Sequence, residues 1–368
     1  MTVKVAEPRV FVVAMTRLAA DLEMFNELDE EGLPPGPDEE RIETLREFLE
    51  SEGCTFQDDI WNRAGLDDEP SDYDSDLDLL PEIAGRVCYD SYGRKKDSNS
   101  RYVGHIIEVG HGSVLEHSNV TLAFIGISRT LTHELVRHRA GFGYSQRSQR
   151  FVNESGFQIV VPPLFNQPGW EELSQMVQDA SEKALEAYGE LAEKALKKLS
   201  TPEALVQFAI REGVLSNIWI HDKGRPVTNV ELEADKDKLI FTGSPEDVGE
   251  KYRGKLYSKE EWIEHANGPM GGVLDVATKT ARRKTAREAA RSVLPNCTET
   301  KIFVTGNLRA WRTMLDQRAA ITADREIRRL AIMVLKALKS AAPNVFADYT
   351  IKTDVEGLEY AETKHRKV

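Results

Sequence analysis

The stretch of the chain best equipped for chemistry covers residues 137–150, RHRAGFGYSQRSQR, which holds four arginines, one histidine, two glycines, two serines and two glutamines. Its only apolar side chains are Ala140, Phe142 and Tyr144. Arginines at this density are not core, because each would have to be desolvated and paired. Planar guanidinium forks, hydroxyls and backbone N–H groups bared by glycine suit phosphate or a planar anionic heterocycle. The plainer alternative is a solvated basic loop with a few surface ion pairs.

The flanking elements favour binding. Residues 120–127 are an apolar, β-branched run and predict a strand, while Leu131, Leu135 and Val136 recur at helical spacing. A rigid strand and helix therefore deliver a glycine-broken, donor-rich loop to one place. Upstream, GHGSVLEH predicts a turn at Gly110–Ser113 leading into that strand, with His111, His117, His133 and His138 clustered around it. Downstream, TKTARRKTAREAARSVLP predicts a basic helix with Arg287 and Arg291 on one face, ended by Pro295. Residues 308–341 read as a last helical region with Leu308, Trp311, Leu315, Ile327, Leu330 and Val334 on a buried stripe. Arg318 interrupts that stripe, and a charge there needs a partner or a ligand.

The formal charge of -13 speaks against general nucleic-acid affinity. Acidic residues crowd the first eighty positions, and basic ones gather in the two segments just named, a distribution that suits a small anionic ligand. No apolar run approaches membrane-spanning length, and the first residues lack signal-peptide organisation, so a cytoplasmic protein with no membrane partner is expected. Cys54, Cys88 and Cys297 are far apart, without metal or redox spacing, which predicts a reducing compartment and no metal site.

Around these segments, residues 10–14 predict a strand passing into a helix, LPPGPDEE a linker with a helix start, and residues 67–78 a loop. Residues 1–78 are thus an acidic N-terminal extension. Helical faces begin at Leu79; residues 157–161 predict a short strand, a long amphipathic helix starts at Trp170, and a second helix spans residues 202–213. Residues 214–272, polar and glycine-bearing, read as an inserted subdomain or lid, leaving residues 79–350 as the main domain and 351–368 as a tail. Short strands at 120–127, 157–161 and 301–305 among long helices predict an α+β fold with a small, mostly antiparallel sheet.

Taken together, RHR followed by SQRSQR, GHGSVLEH before it, and ARSVLP, TGNLRAW, Gln317, Arg318 and Glu326 after it resemble the flavin-dependent thymidylate synthase family over residues 79–163 and 277–350. Several separated blocks in the right order are more specific than any one of them. The resemblance implies that family's fold and homotetramers with shared active sites. It also implies methylation of dUMP at carbon 5, with methylenetetrahydrofolate as carbon donor, NADPH as reductant and FAD as cofactor. Carried over position by position, Ser113, His117, Arg137, His138, Arg139, Gln146, Asn307, Arg309 and Thr313 match cofactor-binding positions. Glu134, Arg137, Gln146, Arg147, Ser148, Gln149, Arg150 and Arg291 match nucleotide-binding positions, with the Ser-x-Arg pair on phosphate, and Arg318 matches the arginine that polarises the pyrimidine ring.

The chain departs from the family pattern in a spacer one residue longer before Ser148, an added cation at Arg147, Thr313 where an Asn or His is usual, the insertion and the acidic extension. These motivate a UMP C5-methylase of a nucleoside-antibiotic pathway as the alternative reading. A non-catalytic paralogue that binds nucleotide or flavin is the alternative from another class.

Overall fold

A computed structural model describes residues 3–18, 45–51, 75–91, 98–212, 221–222, 225–226, 238–240 and 256–366. The helix expected after residue 14, the linker, most of the acidic loop and most of the insertion lie outside the described residues. The chain divides into two compact units. The larger comprises Val5–Arg147, Ile159–Ser174 and Asn296–Val368; the smaller comprises Met1–Lys4, Ser148–Gln158 and Gln175–Pro295.

The larger unit is an α+β structure, built in chain order from β1 (Arg9–Met15), α1 (Asp76–Tyr89), α2 (Asn99–Val109), β2 (Asn119–Ser128), α3 (Arg129–Leu135), β3 (Phe142–Gln146), β4 (Glu299–Asn307), α4 (Leu308–Arg318), α5 (Arg325–Ala341), β5 (Thr350–Thr353) and β6 (Glu359–Glu362). Four strands form one antiparallel sheet in the order β1-β2-β4-β3. Period-two alternation puts Val120, Leu122 and Phe124 of β2 and Ile302 and Val304 of β4 on a single buried face. There Trp311, Leu315, Leu330 and Val334 of α4 and α5 complete the core.

Several elements differ from the sequence expectation. The arginine-rich stretch is not loop throughout: residues 142–146 add strand β3 at the sheet edge, with Phe142 opposite Gly306 and Gln146 opposite Ile302. The region read as one helix from 308 to 341 is two. Asp324 caps the second by accepting from the Glu326 N–H at 3.0 Å, so Arg318 ends a helix instead of interrupting one. Residues 76–78, read as the end of a loop, open α1 behind the cap Ser75. Asp78 is fully buried and accepts the backbone N–H groups of Asn344 and Val345 at 3.1 and 2.9 Å, which satisfies a carboxylate in the core. The turn expected in GHGSVLEH is a short 3-10 helix, Gly112–Glu116.

Residues read as a tail supply the β5–β6 hairpin, and the Ala361 N–H donates to the Ala319 carbonyl at 2.8 Å, just beyond the last turn of α4. Arg312 of α4 forks onto both oxygens of Asp348 at 2.7 and 2.8 Å and donates to the Val345 carbonyl. The Tyr349 hydroxyl donates to Asp316 at 2.6 Å, and burial pushes that phenol far above its ordinary pKa.

The smaller unit contains the helices Pro202–Arg211 and Pro269–Ala290 and most of the helix Glu171–Lys198. The basic helix predicted there is only partly a solvated face. Arg282 is 1% exposed, held by Thr278, Ser200 and the Asp275 carboxylate, the last at 2.6 Å.

Candidate active site

Strand β2 runs into α3 through Ser128, whose hydroxyl caps the helix by accepting from the Leu131 N–H at 3.0 Å. Seven residues later α3 ends and releases the RHR triplet. Tyr144 pins the chain there: its hydroxyl reaches the carbonyls of Leu135 at 3.1 Å and His138 at 2.5 Å, and burial pushes its pKa up to about 12. The turn that follows closes with the Phe142 N–H on the Arg139 carbonyl, and Gly141 adopts φ +74. A Cβ at Gly141 would stand 2.7 Å from the Asn307 side-chain nitrogen and 2.8 Å from Ala310, so only glycine fits. The longer spacer noted in the sequence thus contains a tight, left-handed turn.

Opposite this turn, β4 passes directly into α4. Asn307 caps the helix, its side-chain oxygen accepting from the Ala310 N–H at 2.8 Å. Arg309, Thr313 and Gln317 follow at intervals of four and share one face of α4, and Arg318 extends that face. The result is a cleft of about 410 Å³ between the RHR turn and the start of α4. Arg137, His138, Arg139, Asn307, Arg309, Thr313 and Arg318 all line it.

The electrostatics are specific. The Arg318 Nη1 donates to Glu134 at 2.6 Å and its Nε donates to His138 Nε2 at 3.0 Å. Burial, then the neighbouring Arg318 charge, lowers the His138 pKa from 6.5 to about 4, so the imidazole is neutral and accepts through Nε2. Arg309 pairs with Glu116 at 2.6 Å. The exposed side chains of Arg137 and Arg139 have no carboxylate partner among the described residues. Such a donor set fits an anionic ligand, and Phe142 provides an apolar wall.

Other expected residues lie elsewhere. Ser113 and His117 are exposed, in and just after the 3-10 turn, and do not line the cleft. Gln146 donates to Thr132 and Thr300 hydroxyls at 3.1 and 3.3 Å. Arg147 approaches Glu299 at 3.7 Å. Ser148, Gln149, Arg150 and Arg291 belong to the smaller unit. There the Ser148 hydroxyl accepts from the Arg150 N–H at 3.2 Å, Arg150 pairs with Glu288 at 2.7 Å, Gln149 is buried and Arg291 is exposed. Cys297 is partly buried before β4 and does not line the cleft.

Three cleft residues escaped the sequence reading. Glu116 stood inside GHGSVLEH without being singled out; its signal was only its proximity to His117. Gly141 was visible as a glycine but not as a left-handed one, and Ala310 is a small residue whose importance lies in what it leaves room for.

Comparison with known proteins adds an independent finding. A family model described as "Thymidylate synthase complementing protein" matches residues 71–344. The "Flavin-dependent thymidylate synthase" of Mycobacterium sp. (strain JLS) is 39% identical over 287 residues, 77% of this chain and 84% of that protein. The protein of the same name from Mycobacteroides abscessus is 37% identical over 296 residues, 79% of this chain and 88% of the relative. The one from Mycobacterium tuberculosis is 37% identical over 285 residues, 77% and 83% respectively.

Proposed function

The chain belongs to the family of thymidylate synthase complementing proteins, whose relatives bear the name flavin-dependent thymidylate synthase, and from that premise we propose that it methylates dUMP at carbon 5 with bound FAD. Methylenetetrahydrofolate supplies the carbon unit and NADPH the reducing equivalents, in a cytoplasmic homotetramer that adopts the family's fold, its catalytic domain built mainly from residues 79–350, with β1 of the N-terminal segment and the hairpin to Glu362 added to it. The observation that carries this reading is the meeting of Arg318 with the RHR turn, 180 residues away in sequence, within one arginine-lined cleft.

The residues account for the chemistry as follows. Carbon 5 of a uracil ring becomes nucleophilic when negative charge building on the ring is met by a fixed cation. Arg318, aimed by Glu134 and His138, supplies that charge with no proton to lose. A neutral His138 orients the guanidinium without adding a second charge that would repel it. Arg137, Arg139 and Arg309 would hold the cofactor's phosphates and Asn307 and Thr313 would flank it, with Ser113, His117 and Gln146 as outer contacts. When bound, the flavin supplies hydride chemistry, so no thiol nucleophile is required of the chain. Ser148 and Arg150 would hold the nucleotide's phosphate, with Arg147, Gln149 and Arg291 completing its site.

Turnover of dUMP and UMP side by side, with methylenetetrahydrofolate and NADPH, tests the assignment. Formation of dTMP with dUMP preferred is expected. Preference for UMP would transfer the reading to the alternative methylase. A colourless protein that no NADPH-bleachable flavin accompanies would instead indicate the non-catalytic paralogue.

A further inference from the structure

Arginines in this molecule are held by carboxylates in two physically different ways. Arg312 is 1% exposed at its side chain, forks onto Asp348 and makes a further bond to the Val345 carbonyl. Breaking such a pair strands a buried charge, so it is structural. Arg309 meets Glu116 through one contact at 2.6 Å, with the two side chains 41% and 48% exposed. In the smaller unit, Arg150 meets Glu288 through one contact at 2.7 Å, with 43% and 46% exposure. Pairs this wet are worth little to stability. Among the described residues neither Glu116 nor Glu288 makes any other side-chain hydrogen bond. Both partners are arginines that the proposed function gives to ligand phosphates.

We propose that Glu116 and Glu288 are internal stand-ins for ligand anions, each keeping its arginine extended and neutralised until a phosphate group replaces the carboxylate. This rests on the proposed function and adds to it a control of affinity. At Arg309 the displacing anion is a phosphate of a flavin dinucleotide; at Arg150 it is a nucleoside monophosphate. Binding then exchanges one ion pair for another, which lowers affinity and flattens its dependence on salt. The displaced carboxylate stays close to the incoming phosphate and favours release.

The test removes the negative charge while keeping the shape. FAD is titrated into flavin-stripped full-length protein and followed by flavin fluorescence, for wild type, Glu116→Gln, Arg309→Ala and the double variant, at two salt concentrations. Glu116→Gln should tighten FAD about threefold, the scale of an exposed ion pair, and steepen the salt dependence, with no such gain in the Arg309→Ala background. Glu288→Gln should likewise tighten dUMP in calorimetry of the flavin-loaded protein, but not beside Arg150→Ala. Unchanged or weaker binding in the glutamine variants overturns the proposal, as does an equal gain without the arginine, which would reflect net charge alone. If wild type binds neither FAD nor dUMP, the proposed function falls and this inference with it; wild-type binding with indifferent variants sinks this inference alone.

Discussion

The Nε of Arg318 donates to Nε2 of His138 at 3.0 Å, so the triplet histidine is an acceptor and its proton is on the other ring nitrogen. A helix that ends in arginine and a turn that begins with arginine are thereby joined by a neutral ring. The arrangement gives each side chain a distinct task and makes those tasks separable by experiment.

Arg318→Ala should leave flavin bound and remove methylation, because the role proposed for its guanidinium is to meet charge that develops only during reaction. A loss on the order of 10²–10³-fold in kcat is expected from removing one such group. Flavin absorbance of the purified variant, set beside its dTMP yield, checks both halves; full turnover would remove Arg318 from the mechanism.

Acid should weaken the fold through His138. Its folded pKa of about 4 lies below the ordinary 6.5. Between these values the unfolded chain binds the proton and the folded one does not, so stability falls as pH drops from 6.5 towards 4. Tm measured across that window should decline less in His138→Gln than in wild type; parallel curves would show that the imidazole is not the group responsible.

Gly141→Ala should destabilise the protein by about 1–3 kcal/mol, since a left-handed backbone is combined with a clash against Asn307 and Ala310. Displacing Asn307 should also lower flavin retention. Chemical denaturation and the ratio of flavin to protein after gel filtration report the two effects, and alanine tolerated in both would mean that the turn readily adopts another shape.

Ser148→Ala and Arg150→Ala should raise the Kd for dUMP, by about tenfold or more for the arginine, whose charge-assisted bond is the stronger. Equilibrium binding to flavin-loaded protein measures this. Unaltered affinity in both variants would mean that the Ser-x-Arg pair does not hold the phosphate.

Much of the larger unit was legible from residue order because its central strands bury one face. The predicted strands at 120–127 and 301–305 became Asn119–Ser128 and Glu299–Asn307, each showing the period-two alternation that a half-buried strand requires. Strand β3 was obscured because Gly143, Ser145 and the surrounding arginines mask Phe142 and Tyr144, the two apolar residues that pack on the core. The break between α4 and α5 has neither glycine nor proline; its only local sign is Asp324 two residues before Glu326. Buried Asp78 went unseen because its partners, at residues 344–345, reach it only once the chain has folded, and Arg282 because only the approach of Ser200 completes a set begun by Asp275 and Thr278 on its own helix. Arg318 was flagged by its misfit within an apolar pattern, whereas Glu116, polar in a polar turn, breaks no pattern at all.

The Ala361 N–H that meets the Ala319 carbonyl belongs to a segment synthesised after every residue lining the cleft. A chain truncated before residue 350 would therefore carry every residue that lines the cleft yet lack the clasp beyond the last turn of α4.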